Sequence, residues 1–161
     1  MVKTLKAINW LPLILCIVVI QSIGFLSSLL SGDIRQTYNN LNQPPFSPPG
    51  PVFGIVWPIL YLFIGIALYL LISAQVTSGL KRISLILFGA QLLINFLWTI
   101  IFFSGNNYWL GFALIILLDI LVIACIAQFS KVQVFASYLM VPYLIWILFA
   151  TYLSFGVAWL N

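Results

Sequence analysis

Long apolar stretches broken by short polar ones set the pattern of this chain. Five of them, at about 9–30, 51–73, 83–103, 107–129 and 134–158, carry Leu, Ile, Phe and Val on every face. A helix of about 20 apolar residues crosses the roughly 30 Å of bilayer hydrocarbon. Inside hydrocarbon the backbone must satisfy its own hydrogen bonds, and the strict alternation of a membrane barrel is absent, so the pattern predicts helices. The predicted fold class is an all-α integral membrane protein. It forms a single domain over residues 1–161, a bundle of five transmembrane helices with a long loop at 31–50 between the first two.

The first stretch follows Lys3 and Lys6, as a secretory leader would. Its apolar run is too long for a leader, and no Ala-x-Ala cleavage site follows it, so it is read as a retained helix. With five spans, Lys3, Lys6, Lys81, Arg82 and Lys131 fall on one side and Arg35 alone on the other. The positive-inside rule then predicts a cytoplasmic N-terminus and an external C-terminus in a cell membrane.

Composition narrows the chemistry. Apolar residues are 64% of the 161 and charged residues 5%, too few to coat a water-soluble globule. The net charge of +4 reflects a shortage of acids, not a basic patch, and no nucleic-acid partner is expected. There is no His and no Glu. Histidine-based nucleophile pairs, histidine zinc sites and glutamate acid–base pairs are thereby excluded. No metal site and no required cofactor are predicted. Cys16 and Cys125 both lie in apolar runs and read as packing residues.

The loop at 31–50 holds Asp33, Arg35 and Tyr38, then runs Gln43-Pro44-Pro45-Phe46-Ser47-Pro48-Pro49-Gly50-Pro51, with five of the eight prolines. Proline fixes φ and donates no hydrogen bond, so this stretch is stiff and non-helical. Two readings stand: a lid over a binding site, or a structural elbow that aims helix 2.

Trp10, Trp109 and Trp159 fall at predicted helix ends and read as interfacial belt residues. Trp57, Trp98 and Trp146 fall inside spans. Counting inward from the 31–50 side at about 1.5 Å per residue puts Trp57 roughly 9 Å deep, with Tyr61 one turn below it. Trp98, Asn95 and Gln91 share one face of helix 3, from roughly 8 to 18 Å down. Tyr143, Trp146, Ala150 and Leu153 share one face of helix 5, and Asp119 of helix 4 lies about 18 Å down. These stripes converge in one half of the bundle and describe a pocket for a flat, mostly apolar ligand.

A carboxyl group at mid-membrane costs about 2.5–3.5 kcal/mol on insertion scales, so Asp119 must face the interior. It is either a ligand contact or proton site, or an interhelical hydrogen-bond partner of a group such as Asn95 or Gln91. Pro58 and Pro142 either kink their helices and widen a cavity or are packing irregularities. Asn9, Gln21 and Gln128 have no expected role beyond interface or interhelical bonding.

These residues resemble the TspO/translocator protein family, also described as tryptophan-rich sensory proteins or peripheral benzodiazepine receptors. The likeness covers nearly the whole chain. The loop pattern of the family, Trp-Tyr-x-x-Leu-x-Lys-Pro-x-Trp-x-Pro-Pro, stands here as Thr37-Tyr38-x-x-Leu41-x-Gln43-Pro44-x-Phe46-x-Pro48-Pro49. Gly54, Val56-Trp57, Leu60-Tyr61 and Gly65 follow on helix 2. Gln91-Leu92, Asn95, Trp98 and Phe102-Phe103 follow on helix 3, Asp119 on helix 4, and Pro142-Tyr143-Leu144, Trp146, Phe149-Ala150-Thr151 and Leu153 on helix 5. Thr37, Gln43 and Phe46 depart from the family's Trp, basic residue and Trp. The sterol-recognition pattern of animal members is absent, which makes a bacterial-type member the expectation.

The resemblance implies a receptor for tetrapyrroles such as protoporphyrin IX and haem, and for drug-like lipophilic ligands. It implies ligand contacts at Trp57, Tyr61, Asn95, Trp98 and Asp119, and at Tyr143, Trp146, Ala150 and Leu153; Tyr38 and Phe46 of the loop and Gln91 of helix 3 are further candidate contacts. It also implies homodimers. Some members are associated with light-dependent porphyrin breakdown, for which Trp57 and Trp146 are the candidate catalytic residues. A porphyrin-degrading enzyme, a porphyrin or lipid transporter, and a regulatory membrane partner are therefore the rival readings.

Overall fold

The structure, a computed structural model, describes residues 8–161. Six helices appear among them: α1 (Trp10–Leu30), α2 (Ile34–Asn40), α3 (Pro51–Ser73), α4 (Ser78–Phe103), α5 (Tyr108–Phe129) and α6 (Val134–Leu160). All except α2 are long and apolar enough to span a membrane, and they are the five expected spans. Lys3 and Lys6 lie outside the described residues.

Two boundaries differ from expectation for physical reasons. α4 begins at Ser78 rather than near 83, because helix formation does not stop where hydrocarbon does. Its polar first turns emerge from the apolar zone, and there Lys81 Nζ donates to the carbonyl of Ile72 at the end of α3 at 2.6 Å. The loop at 31–50 also contains the short α2. Asp33 accepts the N–H of Gln36 at 2.9 Å, satisfying one of the free donors at the helix start. An apolar-span search cannot see such a helix. Residues 41–50 are non-helical, as the prolines dictate, and Pro51 opens α3 where its missing N–H costs nothing.

The five spans form a ring in the order α1, α3, α6, α5, α4, with α1 closing back onto α4. Between apolar helices in lipid the hydrophobic drive is weak, so close packing and interhelical bonds must hold the ring. Gly65 lets α3 approach the backbone of α1: a Cβ there would lie 2.8 Å from Ile17 Cα. Gly111 of α5 seats against the Phe102 ring of α4 in the same way. Gln21 Nε2 donates to the carbonyl of Pro58 at 2.8 Å, and Ser27 Oγ to that of Phe96 at 3.0 Å, tying α1 to α3 and α4. Gln128 of α5 reaches the carbonyl of Leu80 at 3.5 Å. Bonds of this kind average about 0.6 kcal/mol each in a bilayer.

The fully buried centre includes Ile64 and Leu71 of α3, Leu118 and Val122 of α5, and Met140 and Ile147 of α6. Cys125 packs among them as a free thiol, and Cys16 is free on α1. Trp10, Trp109 and Trp159 are exposed at helix ends, where belt residues sit.

The proline-rich stretch is fastened to the far end of α6. Asn42 and Asn161 exchange hydrogen bonds of 2.9 Å, Tyr152 Oη donates to the carbonyl of Pro45 at 2.8 Å, and Pro44 fills the notch left by Gly156. Tyr38 Oη donates to the carbonyl of Pro48, and Gln43 Nε2 to that of Tyr38. The stretch thus packs against α6 and leads into α3 at Pro51.

Candidate functional site

A cavity of about 650 Å³ lies between the α2-side halves of α1, α3 and α4. This is the size of a pocket for a drug-sized or larger organic ligand. Its roof is α2, through Ile34, Arg35 and Tyr38, with Gly50 and Pro51 beside it. None of residues 39–49 reaches it. Within the loop at 31–50, α2 and Gly50 cover the cavity, and the proline run at 43–49 does not.

The inner wall is aromatic. Trp57 stacks on Tyr61 one turn below it, with ring centroids 5.5 Å apart and planes at 29°. It lies 6.4 Å from Trp98 of α4 and 6.4 Å from Tyr143 of α6. Phe53, one turn before Trp57, meets Tyr38 edge-on at 4.9 Å and passes the contact to Trp146 at 5.7 Å. Offset and edge-to-face pairs of this kind hold rings in defined positions.

Beneath that wall runs a buried hydrogen-bond chain across three helices. Tyr61 Oη donates to Asn95 Oδ1 at 3.3 Å, Asn95 Nδ2 to Tyr143 Oη at 2.6 Å, and Tyr143 Oη to Gln91 Oε1 at 3.2 Å. Asn95 is thus the link between two phenols, and Gln91 ends the chain. Such a network rigidifies the floor of the cavity because each member orients the next.

Tyr38, Trp57, Tyr61 and Trp98 are brought together on the cavity wall. Asn95, Gln91 and Tyr143 lie one layer deeper, in the network. Asp119, Trp146, Ala150 and Leu153 stand on the α5–α6 side and do not line the cavity. Asp119 takes a different partner from the one expected: Thr151 Oγ1 lies 2.7 Å from its Oδ2, because Asn95 and Gln91 are engaged with the two tyrosines. Asp119 Oδ1, Gln91 Nε2 and the indole N–H groups of Trp98 and Trp146 have no hydrogen-bond partner among the described residues. Phe46 is 89% exposed at a left-handed turn, φ +64°, and is not part of the wall.

Several wall residues escaped the sequence reading. Gln21, Gly24 and Ser28 form an i, i+3, i+7 stripe of polar and small residues on a mostly apolar helix, with Ser27 beside it, and that spacing was a usable signal. Phe53 and Thr99 carried none, since Phe and Thr are ordinary in membrane helices.

Arg35 and Asp33 stand at the rim. The stem of Arg35 lies over Gly50, while the Asp33 carboxylate is engaged as the cap of α2. Burial pushes the Tyr38 phenol above its ordinary value, so it stays a neutral donor to the carbonyl of Pro48 at neutral pH. No group of three or more His, Cys, Asp or Glu side chains close enough to hold a metal ion occurs among the described residues.

This arrangement sits in a sequence with clear relatives. Residues 15–160 match the family model described as TspO/MBR family. The "Tryptophan-rich protein TspO" of Archaeoglobus fulgidus is 40% identical over 157 residues, covering 95% of this chain and 99% of that protein. The protein of the same name in Chlorobaculum tepidum is 34% identical over 152 residues, covering 94% and 96%. The "Translocator protein" of Ovis aries is 27% identical over 150 residues, covering 91% and 88%. An integral membrane protein with five spanning helices, this chain belongs to the TspO/MBR family.

Proposed function

We propose that the protein is a membrane receptor for flat, lipophilic ligands of the tetrapyrrole class, protoporphyrin IX or haem, held in the cavity beneath α2. The observation that carries this reading is the aromatic wall of Trp57, Tyr61 and Trp98 on a cavity of about 650 Å³. Stacking and exclusion of water would supply the binding energy. Arg35 at the rim would pair with a carboxylate at the edge of the ring. With no His in the chain, an axial histidine to haem iron is unavailable, so the ring rather than the metal is recognised. The placement of Lys81, Arg82 and Lys131 at the end opposite α2 supports a cell-membrane protein with that end in the cytoplasm.

The test is a titration of the purified protein with protoporphyrin IX in the dark, read by tryptophan quenching, beside Trp57→Phe and Trp98→Phe. Saturable quenching weakened in both variants supports the reading. Non-saturable quenching, equal in all three proteins, is partition into the micelle and removes it. Illuminating the same samples separates binding from breakdown, because a receptor leaves the porphyrin absorbance unchanged.

A further inference from the structure

The cavity is unevenly walled. Its α4 side, Trp98, Thr99 and Phe103, is buried or half-buried. Its exposed wall residues on the spanning helices fall on two facing stripes, Phe25 and Ser28 of α1 and Pro51, Gly54 and Pro58 of α3. Phe25 is 66% exposed, and a Cβ on Gly54 would meet nothing within 4 Å. Besides the rim at Gly32, Asp33 and Arg35, the cavity therefore opens between helices, among the described residues, only through this seam. The seam is shut toward the bilayer centre, where Gln21 bonds the carbonyl of Pro58 and Gly24 packs on the Tyr61 ring. The proline-rich stretch, the other obvious moving part, is fastened to α6 and contributes no wall residue between 39 and 49.

We propose that the cavity is filled sideways from the bilayer leaflet on the α2 side, through the α1–α3 seam between Phe25 and Gly54. Its ligands are then amphiphiles already dissolved in lipid, and the proline-rich stretch stays in place during their passage. This rests on the binding reading for the nature of the ligand but not for the existence of the opening.

The experiment uses the full chain in phosphatidylcholine nanodiscs and has two readouts. The first needs no porphyrin: the Trp57-dependent emission, wild type minus Trp57→Phe, is measured with and without chain-brominated phosphatidylcholine. An open seam predicts quenching by the brominated chains and at least a twofold smaller effect in Gly54→Leu, whose Cβ meets nothing within 4 Å. The second is stopped-flow mixing with protoporphyrin IX. Gly54→Leu is expected to slow both association and dissociation about tenfold, and Phe25→Ala, which widens the mouth, to speed both. An oxidised Asn42→Cys/Asn161→Cys pair, pinning the loop to α6, is expected to leave both rates within twofold of the reduced form.

Absence of quenching by brominated chains overturns the proposal. So does a pinned loop that stops association, or a Gly54→Leu protein whose only change is faster dissociation. Quenching that Gly54→Leu suppresses, in a protein that binds no porphyrin, upholds the seam and rejects the tetrapyrrole reading. Porphyrin binding without quenching does the reverse.

Discussion

Gly24 of α1 lies directly against the ring of Tyr61 on α3, so closely that a Cβ at residue 24 would overlap it. This contact places the Tyr61 phenol, whose hydroxyl then reaches Asn95. The smallest residue of α1 thereby sets the position of an aromatic side chain on the cavity wall.

Gly24→Ala should displace the Tyr61 ring and lower stability by about 1–3 kcal/mol, the usual cost of overpacking. Thermal unfolding in detergent checks this. A Gly24→Ala protein as stable as wild type, with unaltered porphyrin affinity, would show that the ring moves freely.

Asn95→Leu removes the link between Tyr61 and Tyr143 and leaves the buried Tyr61 hydroxyl without a partner, while Tyr143 keeps its bond to Gln91. The expected loss is about 1–3 kcal/mol for the orphaned group. Tyr61→Phe in the same background should recover part of it, since it removes the orphan. Unfolding temperatures of the single and double variants form the cycle, and simple additivity would contradict the network.

Gly156→Ala should lift Pro44 off α6, and Asn161→Ala should remove the bonds to Asn42. Both changes should raise the rate of proteolytic cleavage between residues 41 and 49 several-fold, with little change in the unfolding temperature of the bundle. Unchanged cleavage would mean that the loop is held by its prolines alone.

Arg35→Ala should weaken binding of protoporphyrin IX about two- to fivefold, the equivalent of an exposed ion pair worth roughly 0.5–1 kcal/mol. The dimethyl ester, which has no carboxylate, should bind both proteins equally. Raising ionic strength should narrow the difference between them. Equal affinity of both proteins for the free acid would remove Arg35 from the site.

The spans were legible in the sequence because the bilayer imposes one requirement on every residue that crosses it. A run such as residues 107–129 has few alternatives to a helix in hydrocarbon. Helical spacing likewise placed Trp57 above Tyr61 and aligned Trp98, Asn95 and Gln91, since those are distances within one element. α2 was not legible to an apolar-span search, because its cap is a single polar contact between Asp33 and Gln36.

What one helix presents to another was decided only by the tertiary structure. Depth along the membrane put Asp119, Trp146, Ala150 and Leu153 level with the other candidates, but depth says nothing about angle around the bundle axis. The ring order α1, α3, α6, α5, α4 turns α5 and α6 away from the cavity and brings α1 to it. That order follows from where small residues let backbones meet, Gly65 at Ile17 and Gly24 at Tyr61. It also follows from which polar groups found partners across the gaps, Gln21 at Pro58 and Thr151 at Asp119. By itself the sequence determined that this chain crosses a membrane five times and carries an aromatic, weakly polar interior. Which of those aromatic residues surround an open space depended on pairwise packing between segments far apart in the chain, where contact free energies of about 1 kcal/mol choose among arrangements that hydropathy leaves equal.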